Sequence, residues 1–178
     1  MDNLALYLLD LVQNSIEAKA HHISLSIVEN HCLSITIKDN GCGMDEQTLK
    51  KAASPFYTSR KTRHVGLGLS LIHMLTEQTE GTFQLESIPN QGTILKVTFD
   101  HHHIDMPPMG NFGDMVMMIA VDSRVHQFIF TYSKQQSTYT FDLAVIKDMF
   151  HETLNNHEVM QGLIQYINQE IDIVRGKL

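Results

Sequence analysis

The sequence predicts an α/β fold, because two kinds of apolar periodicity alternate along the chain. Helical spacing of apolar residues marks two segments, residues 4–18 and 66–78. Strict alternation of apolar and polar residues marks two pairs of strands, at 23–27 with 33–37 and at 82–87 with 93–99. The 178 residues are enough to bury one good core, or one domain with a small appendage.

The first predicted helix is amphipathic. Its apolar residues share one face, and Asp10, Gln13, Asn14 and Glu17 share the other. The two strands after it are expected to pair through a turn at residues 29–31. The N-terminal unit therefore begins with a helix whose polar face is free to meet a ligand or solvent.

Residues 45–100 complete this unit. A short helix is expected from about Asp45, and residues 54–64 are expected to form a mobile loop, because they are polar and basic and lack a clear period. The last two strands are expected to form a hairpin around residues 89–92. The predicted order is helix, strand, strand, loop, helix, strand, strand.

A break in the pattern at residues 101–110 ends this unit, since Pro107 and Pro108 stop both helix and strand. We therefore predict a first domain at 1–100, a linker at 101–113 and a small C-terminal α/β extension at 114–178.

Four elements are expected inside the extension. They are a helix after Asp114, a hairpin at 126–141, a helix from Asp142 and a helix at 156–175. Asn155 and Glu158 have capping-box spacing at the start of the last helix.

The composition narrows the function classes. The net charge of −7, from 13 basic against 20 acidic residues, argues against nucleic acid or an anionic membrane as the main partner. Proteins or small molecules are the expected partners. Only two cysteines, no apolar leader and no long apolar run predict a soluble protein of the reducing cytoplasm. Cys42 is expected to be a small packed residue rather than a reactive thiol.

Asp10 and Asn14 are one helical turn apart, so their side chains share a face. An asparagine amide oxygen can be one ligand of Mg²⁺ when phosphates and waters supply the rest. A nearby carboxylate can then orient or deprotonate an attacking group. An ordinary solvated helix face has the same pattern, so this segment alone does not decide the function.

Two glycine-containing segments also favour a site for a phosphate-bearing ligand. Asp39 ends a strand and is followed by Gly41 and Gly43, so its carboxylate can accept a hydrogen bond from an amine such as that of adenine. Gly66 and Gly68 open a helix, whose free backbone N–H groups can hold phosphate oxygens. A capped turn and a glycine-rich helix start are the structural alternatives.

Together these segments resemble, in order and composition, the nucleotide-binding boxes of the GHKL (Bergerat-fold) ATPases, which include gyrases, heat-shock chaperones, histidine kinases and mismatch-repair proteins. Residues 9–18 resemble the N box, 39–45 the G1 box, 55–60 the F box and 66–71 the G2 box. The resemblance covers residues 3–99. It implies a two-layer α/β sandwich in which ATP lies between helices and a mixed sheet, under a lid at about 46–65.

The resemblance also implies roles for individual residues, with ATP and Mg²⁺ as the cofactors. Asn14 would bind Mg²⁺, Asp39 would read adenine with support from Thr93, and Asp10 would be the catalytic carboxylate. The remaining nucleotide-binding residues would be Gly41, Gly43, Met44, Arg60, Lys61, Gly66, Leu67, Gly68 and Leu69. Arg60 and Lys61 would bring positive charge on the lid to the γ-phosphate.

Position 10 separates the branches of the family. A carboxylate there is typical of hydrolytic and serine-kinase members, whereas residues 55–60 and 66–71 look most like histidine kinases. No dimerisation helix with a phosphoacceptor histidine precedes the N box, so a complete two-component sensor is not expected. The strand and helix that often precede the N box are also absent, and residues 111–175 are expected to cover the surface they would occupy.

Two function classes remain open. One is an enzyme that hydrolyses ATP or transfers its phosphoryl group to a separate protein. The other is a nucleotide-gated module, in which ATP orders the lid and the region after residue 100 recruits a protein partner.

Overall fold

The computed structural model describes residues 3–54 and 67–177. This part of the chain contains six α-helices and six strands, and the strands follow one another in consecutive pairs. The helices are α1 (Leu4–Glu17), α2 (Glu46–Ala52), α3 (Leu67–Gln78), α4 (Phe112–Ala120), α5 (Leu143–Phe150) and α6 (His157–Arg175). The strands are β1 (His22–Glu29), β2 (Leu33–Asp39), β3 (Thr82–Ile88), β4 (Gly92–Phe99), β5 (Gln127–Lys134) and β6 (Ser137–Asp142).

The six strands form one mixed sheet in the order β3-β4-β2-β1-β5-β6. The pairs within β3-β4-β2-β1 and the pair β5-β6 are antiparallel, whereas β1 and β5 run parallel. Alternate residues of β1 are buried, and they belong to the same core cluster as the apolar faces of α1 and α4. This arrangement confirms the predicted α/β fold, with a helical layer packed on the sheet.

The C-terminal region completes both layers. β5 lies along the outer edge of β1, with Ile23 opposite Phe128, and α4 packs against both α1 and α6. Elements within residues 111–175 therefore pack on both the sheet and α1 of the N-terminal half. That they take the place of the strand and helix that often precede the N box stays a prediction. The segment predicted as a linker is hydrogen-bonded to the start of α1, because the carbonyls of Pro108 and Met109 accept hydrogen bonds from the first backbone N–H groups of that helix.

Helix starts differ from the sequence predictions in two places. α4 begins at Phe112, before Asp114, because the Asn111 side chain accepts the Asp114 N–H. The cap of α6 is Asn156 and not Asn155, which ends a short 3₁₀ helix at His151–Asn155. The Asn156 side chain accepts the Glu158 N–H at 2.8 Å, so the predicted capping-box spacing was wrong by one residue.

Two further predicted helix starts, those of α2 and α5, are correct. Asp45 caps α2 by accepting the Thr48 N–H, and Asp142 caps α5 by accepting the Ala144 N–H. The predicted loop at 54–64 falls, except for Ser54, outside the described residues. Across residues 3–54 and 67–177, no helix has the length and apolarity needed to cross a bilayer.

Candidate functional site

A cavity of about 340 Å³ opens beside the ends of β2 and β4, under helices α1, α2 and α3. Its size falls within the range of roughly 300–1,000 Å³ that is usual for small-molecule sites. Most of its lining is apolar, and a few polar groups converge on it. The lining residues are Leu11, Asn14, Ser15, Ala18, Ile37, Asp39, Cys42, Gly43, Met44, Thr48, Ala52, Leu69, Leu85, Thr93 and Leu95.

Asp39 is the buried carboxylate of this cavity, with 8% of its surface exposed. One of its oxygens accepts the Ser15 hydroxyl at 2.8 Å, and the other accepts the Gly41 N–H at 2.8 Å. A carboxylate offers about four acceptor positions, so two donors leave capacity for a ligand amine. Both donors are neutral, and they fix the orientation of the carboxylate.

Thr93 lies directly opposite Asp39 in the register of β2 and β4. Gly92 makes this possible, because its φ of +105° suits glycine and a Cβ there would lie 2.0 Å from the Asp39 carbonyl oxygen. The Ser87 hydroxyl lies 2.9 Å from the Thr93 hydroxyl and accepts the Met44 N–H at 2.8 Å. A hydroxyl on β3 therefore links two of the predicted ligand-binding residues.

The turn after Asp39 is held from both sides. The Cys42 N–H donates to the Ala18 carbonyl at 2.8 Å, and the Cys42 carbonyl accepts the Asn90 N–H at 2.7 Å. Gly43 has a φ of +63°, and a Cβ there would lie 2.0 Å from the Ile88 carbonyl oxygen. The Cys42 thiol is free and exposed, so the prediction that it is packed was wrong.

Asn14 projects from α1 into the cavity, and its amide nitrogen is buried without a hydrogen-bond partner among the described residues. A buried polar group in this state is rare in folded proteins and is often explained by a ligand or ion. An N–H₂ group donates hydrogen bonds, so this atom suits an acceptor such as a phosphate oxygen and cannot itself bind a cation. The oxygen of the same amide is the kind of ligand that Mg²⁺ prefers, and the Mg²⁺ role suggested by the sequence stays a prediction.

Asp10 lies one turn before Asn14, against the first turn of α3. One of its carboxylate oxygens lies only 2.2 Å from the position that a Cβ of Gly68 would occupy. Glycine at position 68 therefore lets the Asp10 carboxylate reach the start of α3, where helix dipole and free N–H groups favour negative charge. Asp10 itself does not line the cavity that contains Asn14.

The other predicted residues fall into two groups. Leu69 lines the cavity, and Leu67 opens α3. Arg60, Lys61 and Gly66 lie outside the described residues, as does the side chain of Leu67. The structure gives no placement for the cationic part of the predicted lid.

The polar residues that support the site were not predicted from the sequence. Ser15 and Ser87 hold Asp39 and Thr93, and Thr48 on α2 lines the cavity. The position of Ser15 directly after Asn14 was a weak sequence signal that it lies at the site. No sequence signal marked Ser87, because serine is common in strands and its hydrogen bond with Met44 joins residues 43 positions apart.

Comparison with known proteins adds to this geometry. The family model described as histidine kinase-, DNA gyrase B-, and HSP90-like ATPase matches residues 2–103, more than half of the chain. Sporulation kinase B of Bacillus subtilis is 37% identical over 93 residues, which are 50% of this chain and 22% of that protein. A putative sensor protein of Shewanella frigidimarina is 34% identical over 97 residues, which are 52% of this chain and 15% of that protein.

The chain spans less than a quarter of the length of these two relatives. A solved N-terminal domain of a DNA repair protein shares the fold more widely, with a TM-score of 0.51 and 16% identity over 86% of this chain and 58% of that chain. This coverage is more than residues 2–103 alone account for, so the shared fold includes part of the C-terminal region. The chain belongs to the histidine kinase-, DNA gyrase B-, and HSP90-like ATPases, and the match to this ATP-binding family covers residues 2–103.

Proposed function

We propose that this protein uses ATP in a Mg²⁺-dependent reaction, either hydrolysing it or transferring its phosphoryl group to a separate protein in the cytoplasm. The observation that carries the proposal is the buried, unpartnered amide nitrogen of Asn14 in the cavity that also contains Asp39. A cavity that offers both an unpaired N–H donor and an acceptor carboxylate suits a ligand with an anionic tail and an amine-bearing base.

The base of ATP would lie at the Asp39 end. Apolar residues such as Leu85 and Leu95 line the cavity there and suit a flat aromatic ring. The free acceptor capacity of Asp39 suits the exocyclic amine of adenine, whereas guanine presents an oxygen at that position and would leave the carboxylate unpaired.

The phosphates would lie toward Asn14 and the start of α3, whose first-turn N–H groups favour anions. Asn14 would hold Mg²⁺, which when bound neutralises charge on the phosphates. Asp10 would accept the proton of the attacking water or protein hydroxyl. Its position against Gly68 supports this role, because it lies one turn from Asn14 and beside the helix start.

A nucleotide-gated switch is the second candidate. The observation that favours it is the position of α1, which carries Asp10 and Asn14 and packs against both α3 and α4. α4 belongs to the C-terminal region and packs on α6. A structural change on nucleotide binding at α1 would then be transmitted to a potential protein-binding region through the α1–α4 and α4–α6 contacts, without any turnover of ATP.

Calorimetric titration of ATP and ADP, with and without Mg²⁺, tests the proposal together with phosphate release. The wild type is compared with Asp10→Asn and Asn14→Ala. Asp10→Asn should keep ATP affinity and lower turnover by about 100-fold or more, the usual loss when a general base is removed. Asn14→Ala should abolish the Mg²⁺ dependence of binding.

Glu17→Gln is the matched control, because Glu17 is an exposed carboxylate farther along α1. It should leave affinity and turnover unchanged. ATP binding without any phosphate release or protein phosphorylation would favour the switch. A folded wild type that binds no ATP would refute both candidates.

A further inference from the structure

A second cavity lies in the C-terminal region, between β6, α5 and α6. We call it the Gly162 groove. It has a volume of about 560 Å³ and shares no lining residue with the cavity that contains Asn14 and Asp39, which we call the nucleotide cavity because we propose that it binds ATP. Its lining residues are Tyr139, Thr140, Phe141, Asp142, Val145, Ile146, Met149, Phe150, Val159, Gly162, Leu163 and Tyr166.

The walls of the Gly162 groove expose large apolar side chains to solvent. Met149 is 66% exposed, Val145 is 53% exposed and Tyr166 is 51% exposed. Single exposed apolar residues are ordinary, but these three line one concave surface. Tyr166 is held in place by an edge-on contact with the ring of Tyr139. The apolar surface is therefore partly ordered before any partner arrives.

No contact within the described part of the chain requires glycine at position 162. It lies in the middle of α6, where glycine destabilises a helix relative to alanine, and a Cβ at this position would meet nothing within 4 Å. Gly113 of α4 makes a useful contrast. A Cβ there would lie 2.4 Å from the Ile164 carbonyl oxygen, so glycine lets α4 cross closely over one face of α6. Gly162 offers an equally close approach on another face, which is open.

Acidic residues flank the apolar surface. Glu158, Gly162, Tyr166 and Glu170 follow one another at one-turn spacing along α6, so the two carboxylates stand about 18 Å apart at the ends of the row. Asp142 lines the groove from β6. The repulsion between two such acidic surfaces disfavours a second copy of this chain and favours a basic partner.

The charged groups of two neighbouring cations are held by hydrogen bonds to residues outside the groove lining. Lys147 of α5 donates to the Val125 carbonyl oxygen at 3.1 Å. Arg175, near the end of α6, donates to Glu29 at 2.9 Å.

We propose that the Gly162 groove docks an amphipathic helix of another protein. An apolar stripe of that helix would cross α6 at Gly162 and pack against Met149 and Tyr166, and lysine or arginine residues at its two ends would meet Glu158 and Glu170. This goes beyond ATP use and does not depend on turnover. It assigns protein recognition to a surface separate from the nucleotide cavity.

Two synthetic helical peptides test the proposal by fluorescence anisotropy. Both carry the same leucine stripe, and their ends carry lysine in one peptide and glutamate in the other. The lysine peptide should bind the wild type at least about tenfold more tightly than the glutamate peptide. Gly162→Leu should weaken that binding by about tenfold or more, because it fills the groove. Gln161→Leu, which adds the same side chain outside the groove lining, should have no effect.

The folding of Gly162→Leu is checked by thermal unfolding and by ATP affinity. Unfolding should occur at a higher temperature than in the wild type, since leucine favours the helix and has room, and ATP affinity should not change. A lower unfolding temperature would show that the position is not open. Equal binding of both peptides, or binding that survives Gly162→Leu, would overturn the proposal. A wild-type dimer abolished by Gly162→Leu would replace the helix with a second copy.

Discussion

Two buried carboxylates lie at opposite ends of the central antiparallel strands. Asp39 ends β2 at the cavity that it lines with Asn14 and is 8% exposed, and Glu29 ends β1 at the far end of the sheet and is 6% exposed. Both have been withdrawn from water, which is costly for a charge. The protein offsets the cost of burying each charge in a different way, and the difference distinguishes the proposed ligand site from a structural one.

Glu29 is satisfied entirely by the chain. Tyr132 donates its hydroxyl to one carboxylate oxygen, Lys134 donates to the other at 3.0 Å, and Arg175 donates at 2.9 Å. Burial alone would raise the pKa of this carboxyl, but the hydrogen bonds from Tyr132 and Lys134 and the charge of Arg175 lower it to about 2. Glu29 thereby ties β1 to β5 and to the end of α6.

Asp39 has no cationic partner in the described part of the chain, since its two donors are the Ser15 hydroxyl and the Gly41 N–H. The two donors orient the carboxylate without saturating it. Glu29, a fully neutralised buried acid, therefore acts as a structural joint, whereas Asp39, held by neutral donors at a cavity, keeps acceptor capacity for a ligand.

Replacing Glu29 should give the largest change in stability. Glu29→Gln leaves Lys134 and Arg175 without their acid, and breaking a buried ion pair costs about 3–5 kcal/mol of unfolding free energy. Denaturant unfolding measures this loss, and ATP affinity should be unchanged wherever the variant is folded. Glu86→Gln, an exposed site on β3, should change stability by less than about 0.5 kcal/mol. If both variants unfold alike, the ion network contributes nothing.

The same network predicts a pH dependence. The pKa of Glu29 falls from 4.5 to about 2 on folding, so its stabilisation is complete above pH 4.5 and is lost as the pH falls from 4.5 toward 2. The shift corresponds to about 3 kcal/mol. The difference in unfolding free energy between the wild type and Glu29→Gln should shrink by that amount over this range. A difference that stays constant with pH would contradict the assigned protonation.

Asp39→Asn should affect binding more than folding. The new amide can still accept the Gly41 N–H, and the Ser15 hydroxyl can rotate to accept from it, so stability should change little. ATP affinity should fall by about 30-fold, equivalent to roughly 2 kcal/mol for a hydrogen bond to a charged group. Calorimetric titration measures the affinity. Unchanged affinity in the folded variant would remove Asp39 from the site.

Ser15→Ala should have the smallest effect. It removes one of the two donors that orient Asp39 but leaves the carboxylate and its charge in place. We expect ATP affinity to fall by about fivefold, which corresponds to roughly 1 kcal/mol for one hydrogen bond. Calorimetric titration of ATP into both variants shows whether Ser15→Ala loses less affinity than Asp39→Asn. A larger loss for Ser15→Ala than for Asp39→Asn would mean that Ser15 is itself the ligand contact.

The sequence predicts local structure well where apolar residues recur at a clear helical or strand period. α1, β1 and β2 were expected within a few residues of their observed bounds, because each buries one face on a single core. The start of α6 was misplaced because Asn155 and Asn156 are adjacent, and only the observed hydrogen bond shows which one caps the helix.

Contacts between distant residues could not be predicted. The parallel pairing of β1 with β5 depends on a register that no local pattern encodes. The Glu29 network joins residues more than a hundred positions apart, and a glutamate at a strand end looks like an ordinary turn residue. Asp39 was predictable because it stands beside a glycine-rich turn, but its donor Ser15 was not.

The parallel pair also affects how the chain is made. Phe128 of β5 pairs with Ile23 of β1, and it is synthesised about 105 residues later than Ile23. At ordinary translation rates this separation corresponds to a delay of roughly 5–20 s. During that time the nascent N-terminal half presents one edge of β1 without its neighbour, and unpaired strand edges recruit other chains. Slow synthesis of residues 104–127 would therefore increase aggregation of this protein.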